Sequence, residues 1–279
     1  MNETLWAIAA GLAPGIFWLW FFYTRDKIER EPLGQVMAVY FFGMLSIIPS
    51  LVVQIWFQTG TVLDLVVMAP VTEEPFKLLC LLILLKRKKG KLRRNFNEPL
   101  DGIIYGAATA LGFATVENIF YTIKSLSEGN FGAVSVLRAL FSVPGHALWG
   151  GIWGFSVAKA WFSEGSRGKK LAIISGGLIL AMVCHGLFNF GASAGDMAGI
   201  GIIVGMSVIF WILVMRRVKK ARGISPFLPA NRPVQPTAAG APVEGSAVSG
   251  AQWPAQSSHD TQGLTNKGKN DDINTGGGI

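Results

Sequence analysis

Met68-Ala69-Pro70-Val71-Thr72-Glu73-Glu74-Pro75-Phe76-Lys77 lies in the middle of an apolar run, Val62 to Leu85. A run of that length can cross a bilayer. Two adjacent carboxylates and a lysine inside it are costly, roughly 2.5–3.5 kcal/mol for each charge at mid-membrane on insertion scales. A lipid-facing wall does not carry that cost. The three groups must face a bundle interior or a water-filled cavity, which makes them a candidate functional site. The plainer alternative is a buried ion pair that only fixes helix packing. Pro70 and Pro75 are expected to interrupt the helix, with Thr72 as the N-cap of a new one and Glu73, Glu74 and Pro75 as its first turn. Carboxylates suit a helix N-terminus. Lys77 follows Glu73 by four residues and Glu74 by three, so it can reach either.

The rest of the chain reads the same way. Of its 279 residues, 51% are hydrophobic and 15% charged, with a mean hydropathy of +0.42. That composition belongs to an all-α, polytopic transmembrane helix bundle rather than to a soluble globule. About seven apolar runs have spanning length: Leu5–Tyr23, Leu33–Phe57, Thr61–Leu85, Gly102–Ile123, Ala133–Phe162, Leu171–Phe190 and Met197–Met215. The first is no typical signal peptide, because Glu3 and no Lys or Arg precedes it and no convincing small-residue cleavage site follows. Cys80 and Cys184 lie in apolar runs and form neither a disulfide framework nor a metal spacing.

The net charge of +8 does not point to nucleic acid. The basic residues cluster in alternate connections: Arg25, Lys27 and Arg30, the run 86–94, Arg167, Lys169 and Lys170, and the run 216–222. The intervening connections hold only Lys124. By the positive-inside rule the N-terminus lies outside and the C-terminus in the cytosol. The expected partners are the lipid bilayer of the cell membrane and a membrane-anchored protein, with no nucleic acid. Residues 1–222 form the membrane domain. Residues 223–279, rich in Pro, Gly, Ala, Ser, Asn and Gln, read as a disordered cytosolic tail.

Three more costly side chains fall within spans: Glu117, His146 and His185. At 1.5 Å per residue, Glu73, Glu117, His146 and His185 all come to about 20–22 Å from the cytosolic ends of their spans. Four helices therefore bring carboxylates and imidazoles to one height, near the bilayer midplane or slightly outside it. Small-residue stripes, Gly102, Gly106 and Ala110 on one span and Gly150 and Gly154 on the next, let backbones approach closely around them. Arg138 and Asp64 lie near the outer ends of their spans, where they can snorkel, and read as structural.

Such a set suits general acid/base hydrolysis. A glutamate takes a proton from water while a histidine holds the developing oxyanion or protonates the leaving amine. It also suits metal-assisted hydrolysis. The His-Glu-x-x-His zinc signature is absent. No cofactor is therefore favoured. Zn2+ is the alternative, held then by Glu117, His146, His185 and Glu74. Cys184 is set aside as a nucleophile because its neighbour His185 points about 100° away around a helix.

The pattern Glu73-Glu74-x-x-Lys77, Phe113-x-x-x-Glu117-Asn118, His146 and His185-x-x-x-Asn189 resembles the PrsW family of intramembrane proteases. Asp101-Gly102-Ile103-Ile104-Tyr105-Gly106 and the Arg25…Glu29…Glu31-Pro32 connection look like that family too. The likeness covers roughly residues 1–215. It implies a multi-pass endopeptidase that cuts membrane-tethered proteins, in its best-known setting an anti-sigma factor at site 1. It also implies kinship with the CAAX-protease superfamily, an all-helical membrane fold whose site holds a Glu-Glu pair and two histidines. Glu117 stands where those relatives have a histidine. By this resemblance Glu73, Glu74, His185, His146 and Glu117 are the catalytic candidates, with Lys77, Asn118 and Asn189 supporting them. The rival reading is a proton- or ion-coupled transporter, since intramembrane Glu/His chains and broken helices also serve transport.

Overall fold

The computed structural model describes residues 2–87 and 90–231. Every regular element among them is helical. The chain runs through α1 (Glu3–Tyr23), α2 (Leu33–Leu45), α3 (Ile47–Phe57), α4 (Ala69–Lys86), α5 (Lys91–Asn95), α6 (Pro99–Ser127), α7 (Phe131–Leu137), α8 (Val143–Phe162), α9 (Arg167–Ala194) and α10 (Met197–Gly223). Helices α2 and α3 meet at Ser46. Single π-helical turns, Asp64–Met68 and Arg138–Ser142, lead into α4 and α8.

Among the described residues, six helices are long and apolar enough to cross a membrane: Glu3–Tyr23, Leu33–Phe57, Pro99–Ser127, Phe131–Phe162, Arg167–Ala194 and Met197–Gly223. The run read as a further span, 61–85, is also helical, as a π turn followed by α4. Its charges keep it out of that set. Large apolar side chains face outward, among them Trp6, Trp20, Ile48, Trp56, Val183 and Val208. Such a surface is solvated by lipid rather than water.

Helix α6 is the axis of the bundle, with nearly every side chain from Pro99 to Thr115 buried. Small residues make that possible. A Cβ on Gly102 would lie 2.3 Å from the Gly154 carbonyl oxygen, and one on Gly150 would lie 2.4 Å from that of Gly106. The expected stripes thus form the α6–α8 contact, backbone against backbone. On its other faces α6 meets α2 through Gly43 and Gly112, and α1 through Gly11.

The expected N-cap at Thr72 is not found. Helix α4 is already established at Ala69 and runs unbroken past Pro75. The Thr72 hydroxyl instead donates back to the carbonyls of Met68 (2.8 Å) and Ala69 (3.1 Å). The irregularity sits one turn earlier, in the π turn before Pro70. A proline tolerates the first turn of a helix, where its missing N–H costs nothing. A π turn widens the backbone by one residue and frees carbonyls that other groups must satisfy. The Asn189 amide donates to one of them, the Leu65 oxygen, at 2.9 Å.

Residues 224–231, which the sequence assigns to the tail, fold back on the bundle. The Asn231 amide donates to the carbonyls of Gly223 and Ser225. The remainder of the tail lies outside the described residues.

Candidate active site

Helix α4 carries Glu73, Glu74 and Lys77 on one buried face, because three- and four-residue spacings return to the same side of a helix. Lys77 is fully buried and spends all three of its N–H donors. They reach Glu74 Oε1 (2.8 Å), Glu73 Oε2 (3.2 Å) and His146 Nδ1 (2.9 Å). The Phe113 ring lies 4.0 Å beneath the ammonium. An ammonium has three donors and no acceptor, so Lys77 is saturated and meets a lone pair on His146 Nδ1.

That contact fixes the His146 tautomer. With Nδ1 accepting, the ring proton sits on Nε2 and points at Glu117 Oε2, 3.1 Å away. Arg138 Nη2 holds the same oxygen at 2.6 Å. Arg138 Nε donates to Asn118 Oδ1 at 2.8 Å, and its guanidinium stacks on Tyr121. Asn118 in turn donates to the Gly11 carbonyl of α1 at 2.9 Å. The reading of Arg138 as a snorkelling structural residue is corrected here, because the π turn aims it inward against Glu117. Asp64 accepts from the backbone N–H groups of Thr59 and Gly60.

His185, from α9, stands on the other side of Glu74. Its Nδ1 lies 3.1 Å from Glu74 Oε1, and Trp153 Nε1 donates to Glu74 Oε2 at 3.0 Å. Trp149 stacks on the imidazole, ring centroids 4.1 Å apart. With its proton on Nδ1 towards the carboxylate, His185 turns the lone pair of Nε2 towards Glu73 Oε2, 4.0 Å away. Glu74 is thus fully engaged and buried. Glu73 keeps lighter company, Lys77 and the Gln54 amide at 3.5 Å.

The structure therefore brings Glu73, Glu74, His146 and His185 together, with one donor atom from each lying within 4.8 Å of the others. Glu117 stands behind His146, outside that group. Beside the cluster opens a cavity of about 860 Å³. Glu73, His185, His146, Glu117 and Arg138 line it, with an otherwise largely apolar wall that includes Leu51, Phe120, Phe141, Phe188 and Ile203. Glu74 and Lys77 are not among its lining residues.

Sequence reasoning missed Gln54, Arg138, Trp149 and Trp153. Of these only Arg138 left a signal, a charge within an apolar run.

The chain is similar to known proteins along most of its length. Residues 31–215 match the family described as PrsW family intramembrane metalloprotease. Protease PrsW of Bacillus subtilis is 33% identical over 223 residues, 78% of this chain and 96% of that protein. The chain belongs to the PrsW family. Protease PrsW of Geobacillus kaustophilus is 31% identical over 77% of this chain and 92% of its own length. Protease PrsW of Clostridioides difficile is 30% identical over 74% and 86%. No solved structure matches the chain. It is thus a multi-pass intramembrane protease, a peptidase that acts on membrane-protein substrates.

The family description raises a metal ion, and the donor set answers to one. Two carboxylates and two imidazoles within a few ångströms are ligands that a borderline divalent ion such as zinc accepts. The Glu74–His185 contact is the carboxylate–histidine pairing that orients metal-bound imidazoles. Against a dication stands Lys77, whose ammonium already occupies lone pairs of three of the four groups.

Proposed function

We propose that the cavity receives a segment of a single-span membrane protein and that Glu73 acts there as the general base of peptide hydrolysis. The observation that carries this reading is the asymmetry of the two glutamates. Both glutamates accept on both oxygens, but only Glu73 lines the cavity, with His185 Nε2 4.0 Å from its Oε2, whereas Glu74 is closed off behind Lys77, His185 and Trp153. A water between them donates one hydrogen to Glu73 and the other to the His185 lone pair. Glu73 takes its proton as the water oxygen attacks the carbonyl carbon, then returns it to the amide nitrogen as the C–N bond breaks. Glu74 holds the His185 tautomer and, with Lys77, sets the field in which the oxyanion forms. Glu117 and Arg138 hold His146 in place. A divalent ion held by Glu73, Glu74, His146 and His185 would polarise the scissile carbonyl and acidify the water.

The preferred substrate class is a membrane-tethered regulator of the anti-sigma-factor kind, cut first in its outer half. That placement follows from reading seven spans with the N-terminus outside and the C-terminus in the cytosol, an orientation that the alternation of basic connections along the sequence supports. Arg222, after the last span, reaches the Arg25 carbonyl, after the first. Incubating the reconstituted protein with a panel of single-span proteins and reading product masses tests the reading. One discrete cut per accepted substrate is expected. Failure to cut any of them, together with proton or ion flux that Glu73→Gln abolishes, would favour the transporter instead.

A further inference from the structure

At the opposite end of α6 lies a second group of buried carboxyls that the proteolytic reading does not use. Asp26, Glu29 and Glu31 come from the α1–α2 connection, and Glu98 and Asp101 from the start of α6. Asp26, Glu31, Glu98 and Asp101 are each 0–1% exposed. Glu29 is half-buried and takes a hydrogen bond from the Asn97 side chain; in each of the other four carboxyls one oxygen is spoken for. Asp26 Oδ1 accepts from the Ile28 and Glu29 amides, and Asp101 Oδ2 from those of Asn97 and Glu98. Tyr105 donates to Glu31 Oε2 and Ser225 to Glu98 Oε2. Each of the five also has an oxygen without a donor: Asp26 Oδ2, Glu29 Oε2, Glu31 Oε1, Glu98 Oε1 and Asp101 Oδ1.

Five buried acceptors without donors are too costly to leave as they are. A cation that faces them is Arg222 of α10, whose charge acts on Asp26 and Glu98. A bound metal would need three or more close ligand atoms, and among the described residues such a group of Asp, Glu, His or Cys forms only at Glu73, Glu74, His146 and His185. Protons meet the need directly. Glu31 and Asp101 adjoin each other side chain to side chain. One proton between their free oxygens turns two orphan acceptors into a hydrogen bond.

The group also holds something. Ser225 is completely buried against Glu98 and orders the turn after α10 through its hydroxyl, which accepts from the Phe227 amide at 3.2 Å. Beside it Arg222 bonds the Arg25 carbonyl. Higher up, α10 is sparsely buried, yet its Ile200, Ile203 and Val204 form part of the cavity wall. The foot of α10 is where that wall is anchored.

We propose that these carboxyls form a proton-dependent clamp: while they carry protons they pin Ser225 and the foot of α10, and on losing them they let go. Burial pushes the Glu31 and Glu98 carboxyls up to about 7 from the usual 4.5. Burial also raises Asp26 and Glu29. Asp101 and Tyr105 of α6 and Arg222 of α10 are the remaining titratable groups that face them. A carboxyl raised in the clamped state stabilises it most below 4.5 and loses that effect as pH rises towards 7. The clamp therefore grips in acid and is weakest above neutrality.

Amide hydrogen exchange on the full chain in nanodiscs tests this, with rates corrected for intrinsic pH dependence. Protection of residues 221–229 should fall by about tenfold or more between pH 5 and pH 7 and level off above. A Glu31→Gln, Glu98→Gln double variant, neutral at those two positions at every pH, should lose most of the fall in protection between pH 5 and pH 7. Ser225→Ala, which leaves every carboxyl in place, should bring protection at pH 5 down to the wild-type level at pH 8. A flat wild-type profile, an undiminished slope in the double variant, or recovery of protection at pH 8 on adding Mg2+ or Ca2+ would each overturn the proposal. None of these readouts depends on proteolysis.

Discussion

Lys77 Nζ lies 2.9 Å from His146 Nδ1, and both side chains are buried. An ammonium there does three things at once. It compensates two adjacent carboxylates, fixes a histidine tautomer, and leaves α4 no freedom to rotate. Lys77→Met should therefore cost more than a lost surface ion pair. Removing one partner of a buried ion pair costs about 3–5 kcal/mol, because the charge left behind has no counterion. The expected result is a lower thermal midpoint in detergent and no turnover. A variant as stable and active as wild type would contradict the assignment of Lys77 as the hub.

Glu117 and Arg138 act on the reaction through His146. Arg138→Gln and Glu117→Gln should each lower kcat by about 10–100-fold, as expected when a group that orients a site ligand or acid/base is lost, while KM changes little. The double variant should be no worse than the poorer single one, since the two residues work as a unit. Multiplicative losses in a double-mutant cycle would show that they act separately.

Much of this site is legible in the sequence, for a physical reason. The i, i+3 and i, i+4 spacing of Glu73, Glu74 and Lys77 dictates a shared helix face, and membrane depth ties them to Glu117, His146 and His185. The stripes at Gly102, Gly106, Gly150 and Gly154 similarly announce the α6–α8 contact. Arg138 is hidden because it opens a π turn, and one extra residue in a turn rotates the downstream helix by about 100°. Thr72 misleads for the same reason, since the Asp64–Met68 turn starts the helix early. The carboxyl group at the foot of α10 escapes notice because its members come from segments some seventy residues apart, each near basic residues that suggest ordinary solvated connections.

Trp153 donates its indole N–H to Glu74 Oε2 at 3.0 Å. Trp153→Phe keeps an aromatic ring near Glu74 and deletes the donor. Stability should fall by about 1–3 kcal/mol, the cost of a buried acceptor left unsatisfied. Thermal unfolding against wild type measures it. An unchanged midpoint would mean that another donor replaces the indole.

The α6–α8 contact has no room for a side chain. Even Gly150→Ala would set a Cβ 2.4 Å from the Gly106 carbonyl oxygen, so the helices must separate. Overpacking of that kind costs typically about 1–3 kcal/mol. Gly176→Ala, which meets nothing within 4 Å, is the matched control and should be neutral. Equal midpoints for the two variants would contradict the backbone-to-backbone packing.

Glu73 as the base, with Glu74 as its support, is tested by cleavage of one accepted single-span substrate. Wild type, Glu73→Gln and Glu74→Gln are each reconstituted at equal amounts and checked for folding, with product termini read by mass spectrometry. Glu73→Gln should remain folded and give no product. Glu74→Gln should lose both turnover and stability, because the ties to Lys77, His185 and Trp153 weaken together. A cut at the same bond by folded Glu73→Gln, at a rate near wild type, would remove Glu73 from the role of base.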